Sequence, residues 1–258
     1  MDAGAPTVPP VVSALVDGVA RILGRRLVGV YLGGSLSTGD FVPATSDFDT
    51  LIVTEGHLNP KDIRAIDVLH RRLGLDDPDA QRMEGDYAPR RLLIPQGTSE
   101  PVPGFKRGQF RPDVREIMLS ADNIANMRES SIAVFGPPAD TVLPALTPGD
   151  VRAAVWEMLN DGPGPGASEA DAASKMLNLA RSLCALESGR PTTKSEGAVW
   201  ALANLDEQWH ELIRRAVAIR CGEPVAEDDV RLRTALPAMD QALRRCDKLL
   251  PDRIVPGA

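Results

Sequence analysis

Gly33-Gly34-Ser35-Leu36-Ser37-Thr38-Gly39-Asp40, then Ser46-Asp47-Phe48-Asp49-Thr50-Leu51-Ile52-Val53, is the stretch on which the reading of this chain turns. Immediately upstream, Leu27 to Leu32 is a short apolar run with β-branched content, which predicts a buried strand ending at the glycines. Phe48 to Val53 predicts a second. A Gly-Gly-Ser turn after a buried strand lets backbone N–H groups approach an anion with no side chain in the way. A helix beginning at Leu36 would add its positive end, and Ser35 a hydroxyl. Residues two apart on a strand share a face, so Asp47 and Asp49 point the same way while Phe48 faces a core. Two neighbouring carboxylates repel unless a cation sits between them. Oxygen ligands of this kind suit Mg²⁺, whose other ligands are typically waters and substrate phosphates.

Working outward, Val12, Leu15, Val19 and Leu23 recur at helical spacing and predict a helix over 11–25. Asn59-Pro60 supplies an N-cap and a first-turn proline for a helix running to Leu73, with Gly74 as its stop. Shorter strands are expected around Gln81–Gly85, Arg91–Ile94 and Val114–Leu119, a brief helix capped by Asp122, and a closing strand over Ile132–Phe135. Gly136 to Pro148 is proline-rich and marks a boundary. Beyond it every pattern is helical. One helix starts at Thr147-Pro148, and the run Gly162 to Gly166 breaks the chain after it. Ser168 and Asp171 then form a capping-box pattern ahead of the stripe Ala172, Met176, Leu179, Leu183, Leu186. Thr193 and Glu196 make another, and two more helices are expected at about 205–220 and 226–249. The fold class is therefore α+β: a mixed-sheet domain over 1–146 followed by an all-helical bundle over 147–258.

A third carboxylate is needed to orient a nucleophile beside a metal-bound phosphate. Glu84, in Arg82-Met83-Glu84-Gly85-Asp86-Tyr87, is the best placed, with Asp86 two residues on and on the same face as its competitor.

Composition narrows the class. With 258 residues and 43% apolar content the chain can build ordinary cores. A net charge of -7 argues against a protein that grips a nucleic-acid backbone. Cys184, Cys221 and Cys246 are odd in number and widely spaced, giving neither a disulfide framework nor a zinc site. His57, His70 and His210 are scattered, with no HExxH spacing. No Walker-type loop is present. Met1 to Pro10 lacks the blocks of a secretory leader, and no apolar run approaches the ~20 residues of a membrane span. The expectation is a cytoplasmic protein with neither membrane nor nucleic-acid partners.

Gly34-Ser35 followed by Ser46-Asp47-x-Asp49 resembles the signature of polymerase-β-like nucleotidyltransferases. Across nearly its whole length the chain is similar to the aminoglycoside adenylyltransferases that modify streptomycin and spectinomycin. In the second half the similarity rests on Met176-Leu177-Asn178-Leu179-Ala180-Arg181 and on Gly189-Arg190-Pro191-Thr192-Thr193-Lys194. The resemblance implies that Asp47 and Asp49 hold Mg²⁺, that Glu84 is the catalytic base or completes the metal set, and that Gly34 and Ser35 receive the triphosphate of ATP. It further implies that Arg181 and Lys194 contact that triphosphate from the helical half, with Asp171 lining the nucleotide site. Two departures are visible. The loop from Ser35 to Asp47 is one residue longer than the family's usual one. The segment Asp161 to Ala167 lacks the Trp and Asp carried by streptomycin-modifying members, and Trp156 lies too early. The expected reaction moves AMP from ATP to a hydroxyl of a small molecule, spectinomycin-like rather than streptomycin, with release of pyrophosphate. A protein acceptor, or a silent nucleotide-binding regulator, are the alternatives. A site held within one chain permits a monomer.

Overall fold

In a computed structural model the described residues are 7–94, 100–113, 119–161 and 168–244. Pro10–Leu23 forms α1, started by its first-turn proline and ended at Gly24 with φ 55°. Leu27–Leu32 is β1, Gly34–Thr38 is α2 and Phe48–Thr54 is β2. Pro60–Asp76 forms α3 under a complete capping box, in which the Asn59 side chain accepts from the Lys61 and Asp62 amides and Asp62 accepts from the Asn59 amide. Met83–Pro89 is β3, and Gly104–Lys106 and Gln109–Arg111 are β4 and β5. Ala121–Ser130, Ile132–Phe135 and Ala139–Val142 follow as α4, β6 and α5. The helices Pro148–Asp161, Glu169–Ser188, Lys194–Asn204, His210–Arg220 and Arg231–Arg244 are α6 to α10.

Two compact units divide the chain, Met1–Phe41 with Ser46–Leu146, and Val42–Thr45 with Thr147–Ala258. In the first, the strands order as β5-β4-β3-β2-β1-β6. Neighbours are antiparallel except β2 and β3, which run parallel. A parallel pair needs a crossover, and α3 supplies it. One face of the sheet, with Val30, Leu32, Phe48, Ile52, Met83 and Tyr87, packs in a core with α1 and α3 residues such as Leu15 and Ile66. The other face, with Tyr31, Leu51, Val53 and Ala88, packs with Ile124 and Met127 of α4. Both β2 and β3 are buried along almost their whole length, as central strands covered on both faces are.

In the second unit, α7 is the central element, packing against α6, α8, α9 and α10. Ala172, Met176, Leu179, Leu183 and Leu186 are all buried, as their spacing predicts. Glu169 is only 5% exposed, and its two carboxylate oxygens accept the Leu232 and Arg233 amides at 2.5 and 3.1 Å. A side chain of α7 thereby satisfies amides in the first turn of α10.

Several local expectations are corrected. Gly74 does not stop α3, which continues to Asp76 and closes with the Asp77 amide on the Leu73 carbonyl. An exposed glycine costs a helix only about 1 kcal/mol, too little to end one already capped and packed. The strand expected at Gln81–Gly85 lies later, over Met83–Pro89, because Pro78–Arg82 is a 3₁₀ turn. Arg91–Ile94 is not a strand; Arg90–Leu92 is a short 3₁₀ turn after Pro89. Ser120, not Asp122, occupies the N-cap of α4. The expected strand at Val114–Leu119 falls, apart from Leu119, outside the described residues, as do the glycine-proline run 162–166 and Cys246. Cys184 is buried and Cys221 exposed, both as free thiols.

Candidate active site

The Gly-Gly-Ser turn closes directly onto β2. The Gly33 amide donates to the Asp49 carbonyl at 2.9 Å, so the end of β1 is tied to the strand that carries the acid. Gly34 has φ +62°, and a Cβ added to it would lie 1.7 Å from Asp49 Oδ2. Glycine is required there twice over, by backbone conformation and by the carboxylate packed against it. The helix after the turn begins at Gly34 itself, not at Leu36 as expected, and the Ser37 and Thr38 hydroxyls donate back to the Gly34 carbonyl at 3.0 and 3.1 Å. Ser35 is thus a first-turn helical residue, half-buried beside the acids' strand.

Phe48 is 3% exposed in the core, while Asp49 is half-buried on the opposite face and Asp47 is exposed just ahead of the strand. The parallel register pairs Asp49 with Glu84 and Leu51 with Asp86. Glu84 therefore stands across from Asp49 at the open end of the sheet, whereas Asp86, with no exposed surface, lies deeper, opposite an apolar side chain. Lys106 follows the Gly85–Phe105 pair on β4 and extends the row, its Nζ 3.1 Å from Glu84 Oε1. Asp49, Glu84 and Lys106 run side by side across three strands. The carboxylates of Asp49 and Glu84 present oxygen donors of the kind a hard cation takes while keeping phosphate and water ligands, and one or two carboxylates suffice for it. Among the described residues no cluster of three or more His, Cys, Asp or Glu is gathered as a metal-holding group.

Sequence reading did not single out Arg82. Its Nη2 and Nε donate to the Ser46 carbonyl at 2.8 and 3.1 Å, and its guanidinium lies 4.6 and 5.3 Å from the Phe48 and Phe41 ring centres. It fixes the backbone immediately before Asp47. The residue stands two positions before Glu84, but nothing in its own segment points back to a loop 36 residues earlier.

In the second unit, Arg181 lies on α7, where Gly197 of α8 packs against it. A Cβ on Gly197 would be 2.5 Å from the Arg181 Cα, and the Thr192 hydroxyl donates to the Arg181 carbonyl at 2.8 Å. Lys194 is the first residue of α8, below a complete Thr193–Glu196 capping box, and its Nζ donates to Ser174 Oγ on α7 at 2.9 Å. Asp171 sits in the first turn of α7, its amide donating to Ser168 Oγ and its carboxylate 3.1 Å from Lys175 Nζ. The fold gathers Asp171, Arg181 and Lys194 on two adjoining helices of one unit, and Gly34, Ser35, Asp47, Asp49 and Glu84 on adjoining strands and turns of the other.

Comparison with known proteins bears on both halves. Residues 13–79 match the nucleotidyltransferase domain family, and residues 141–243 match the aminoglycoside adenylyltransferase C-terminal domain family. The chain is thus similar to the aminoglycoside adenylyltransferase family, most specifically in its second half. Spectinomycin 9-adenylyltransferases of Staphylococcus aureus, from strains Mu50 and N315, are 26% identical to it over 74% of this chain and 76% of theirs. A crystal structure of the spectinomycin adenyltransferase AAD(9) from Enterococcus faecialis, with ATP and spectinomycin, shares the fold. It aligns with a TM-score of 0.77 at 16% identity, covering 91% of this chain and 98% of that one. This adenylyltransferase is an enzyme of nucleotidyl transfer. Among its described residues no helix is long and apolar enough to cross a membrane.

Proposed function

We propose that this adenylyltransferase transfers AMP from ATP to a hydroxyl of an aminocyclitol or aminoglycoside antibiotic, with spectinomycin-like compounds ahead of streptomycin. The observation that carries the reading is the placement of Asp49 and Glu84 as direct partners on β2 and β3, at the foot of the Gly34 turn. Relatives named for spectinomycin adenylylation support the acceptor class. Asp47 and Asp49 are the residues that would hold Mg²⁺, with Glu84 the strand partner of Asp49. When bound, the ion neutralises charge on the phosphates. Gly34 and Ser35 offer backbone N–H groups and a hydroxyl to the triphosphate, and Arg181 and Lys194 its counter-charge. Glu84 takes the proton of the acceptor hydroxyl as its oxygen bonds to the α-phosphorus. The bond from that phosphorus to the oxygen leading to the β-phosphate breaks, and pyrophosphate leaves. Clustered carboxylates also draw a cationic acceptor toward the site.

The test is pyrophosphate release from ATP with magnesium chloride, with spectinomycin and streptomycin supplied separately. Release with spectinomycin, abolished in Asp47→Asn, is expected. Silence with both antibiotics, in a protein that binds ATP, would remove the acceptor assignment and point to another hydroxyl compound or a protein acceptor.

A further inference from the structure

Between Asp171 and Leu186, α7 is buried at every position except Asp171, Ser174, Lys175, Asn178 and Arg181. These five are all polar and fall at i, i+3, i+4, i+7 and i+10, a single face. A helix packed by four neighbours is expected to be apolar all round. This one instead carries one narrow polar stripe, and none of its five residues is fully exposed or fully buried. Lys194 reaches into the stripe from α8 through its bond to Ser174. A lysine at the first position of a helix lies against the positive end of the helix dipole, an unfavourable place for a cation on stability grounds alone. The stripe and Lys194 together carry one carboxylate and three cations, net positive in a chain whose total is -7. Concentrated positive charge on a half-buried face of an acidic protein fits a polyanion.

We infer that Lys175 is a third phosphate-contacting cation of this enzyme, beside Arg181 and Lys194. The inference rests on the assignment of a nucleoside triphosphate to that face. Lysines are usually among the most exposed residues, yet the Lys175 side chain is 27% exposed, held along α7 by Asp171 four residues earlier. An i,i+4 pair on an open helix surface would leave the lysine free in solvent. Here the pair draws the ammonium back along α7 to 3.1 Å from the Asp171 carboxylate, on the same face as Ser174, which Lys194 meets. As a compact point charge it suits a phosphate oxygen, without the planar fit that an arginine demands.

Affinities for ATP, ADP and AMP, measured by calorimetry with magnesium chloride present, test this in Lys175→Gln, Lys175→Arg, Arg181→Gln, Lys194→Gln and the unaltered protein. Lys175→Gln is expected to weaken ATP roughly five- to tenfold, ADP less and AMP hardly at all, with Lys175→Arg within about twofold of the unaltered protein. Equal weakening of AMP and ATP in Lys175→Gln would mean a general disturbance of the helix and would overturn the inference. So would unchanged ATP affinity in Lys175→Gln while Arg181→Gln loses it. Should Arg181→Gln and Lys194→Gln both bind ATP as tightly as the unaltered protein, the assignment of the triphosphate to this face fails, and the role of Lys175 falls with it.

Discussion

Asp49 and Glu84 are direct partners in the parallel pair of β2 and β3, two carboxylates set side by side where each strand emerges from the core. Such a pair carries a standing electrostatic cost. Lys106 offsets part of it on one flank. The expected consequence is that the two acids are dispensable for folding and indispensable for turnover. Asp49→Asn and Glu84→Gln should each lower kcat by about a hundredfold or more. Their circular dichroism and melting midpoints should stay at or above those of the unaltered protein.

Gly34 should be intolerant of even one methyl group. Alanine at φ +62° costs about 1–2 kcal/mol, and its Cβ would be driven into the Asp49 carboxylate. Gly34→Ala is expected to lower both the melting midpoint and the activity. In an Asp49→Ala background the stability loss should shrink, since the carboxylate that the methyl meets is gone. Equal losses in both backgrounds, read from a double-mutant cycle, would show that backbone strain alone is responsible.

Arg82 joins the acid loop to the core through Ser46 and two phenylalanine faces. Arg82→Ala should reduce turnover by roughly tenfold through a displaced Asp47, because small errors in positioning are costly to phosphoryl transfer. Arg82→Lys keeps the charge but loses the two-pronged grip on the Ser46 carbonyl, and should recover only part of the rate. The same rate in both variants as in the unaltered protein would remove Arg82 from any positioning role.

Acid should destabilise the first unit through His70. Burial among Tyr87, Phe105 and Phe110 pushes its pKa down to about 4, and its Nε2 hydrogen-bonds with the Tyr87 hydroxyl at 2.8 Å. The unfolded chain takes up this proton near pH 6.5, while the folded one resists until about 4. Stability therefore falls as pH drops through that window, by about 3 kcal/mol in total from this residue. In urea titrations from pH 7 to 4, His70→Gln should lose stability less steeply than the unaltered protein.

What was legible in the sequence was the part governed by local rules. The strand before Gly33, the Asn59 N-cap, the Thr193 capping box and the apolar stripe of α7 each follow from a pattern a few residues long, and each stands where that pattern places it. The pairing of Glu84 rather than Asp86 with Asp49 was not legible, because the two acids share a face and only strand register separates them. The hairpin of β4 and β5 also escaped. Its strands are three residues each, and its turn uses Arg107 and Gly108 at positive φ, where the usual signal would be Asn-Gly. Arg82 and Lys106 were missed for a related reason: their partners are set by tertiary packing, at separations of 36 and 22 residues.

The Glu169 carboxylate, buried in α7 and committed to two amides of α10, has a consequence for how the enzyme can be cut. A chain nicked in the connection over 221–230 that then lost α10 would strip the Glu169 carboxylate of both amides it accepts from and uncover the first turn of α7. The start of α7 would lose the tie that holds it to α10, and Asp171 lies two residues away. Loss of α10 by proteolysis should therefore be felt at Asp171, proposed to line the nucleotide site, and lower activity without removing any residue proposed to contact ATP.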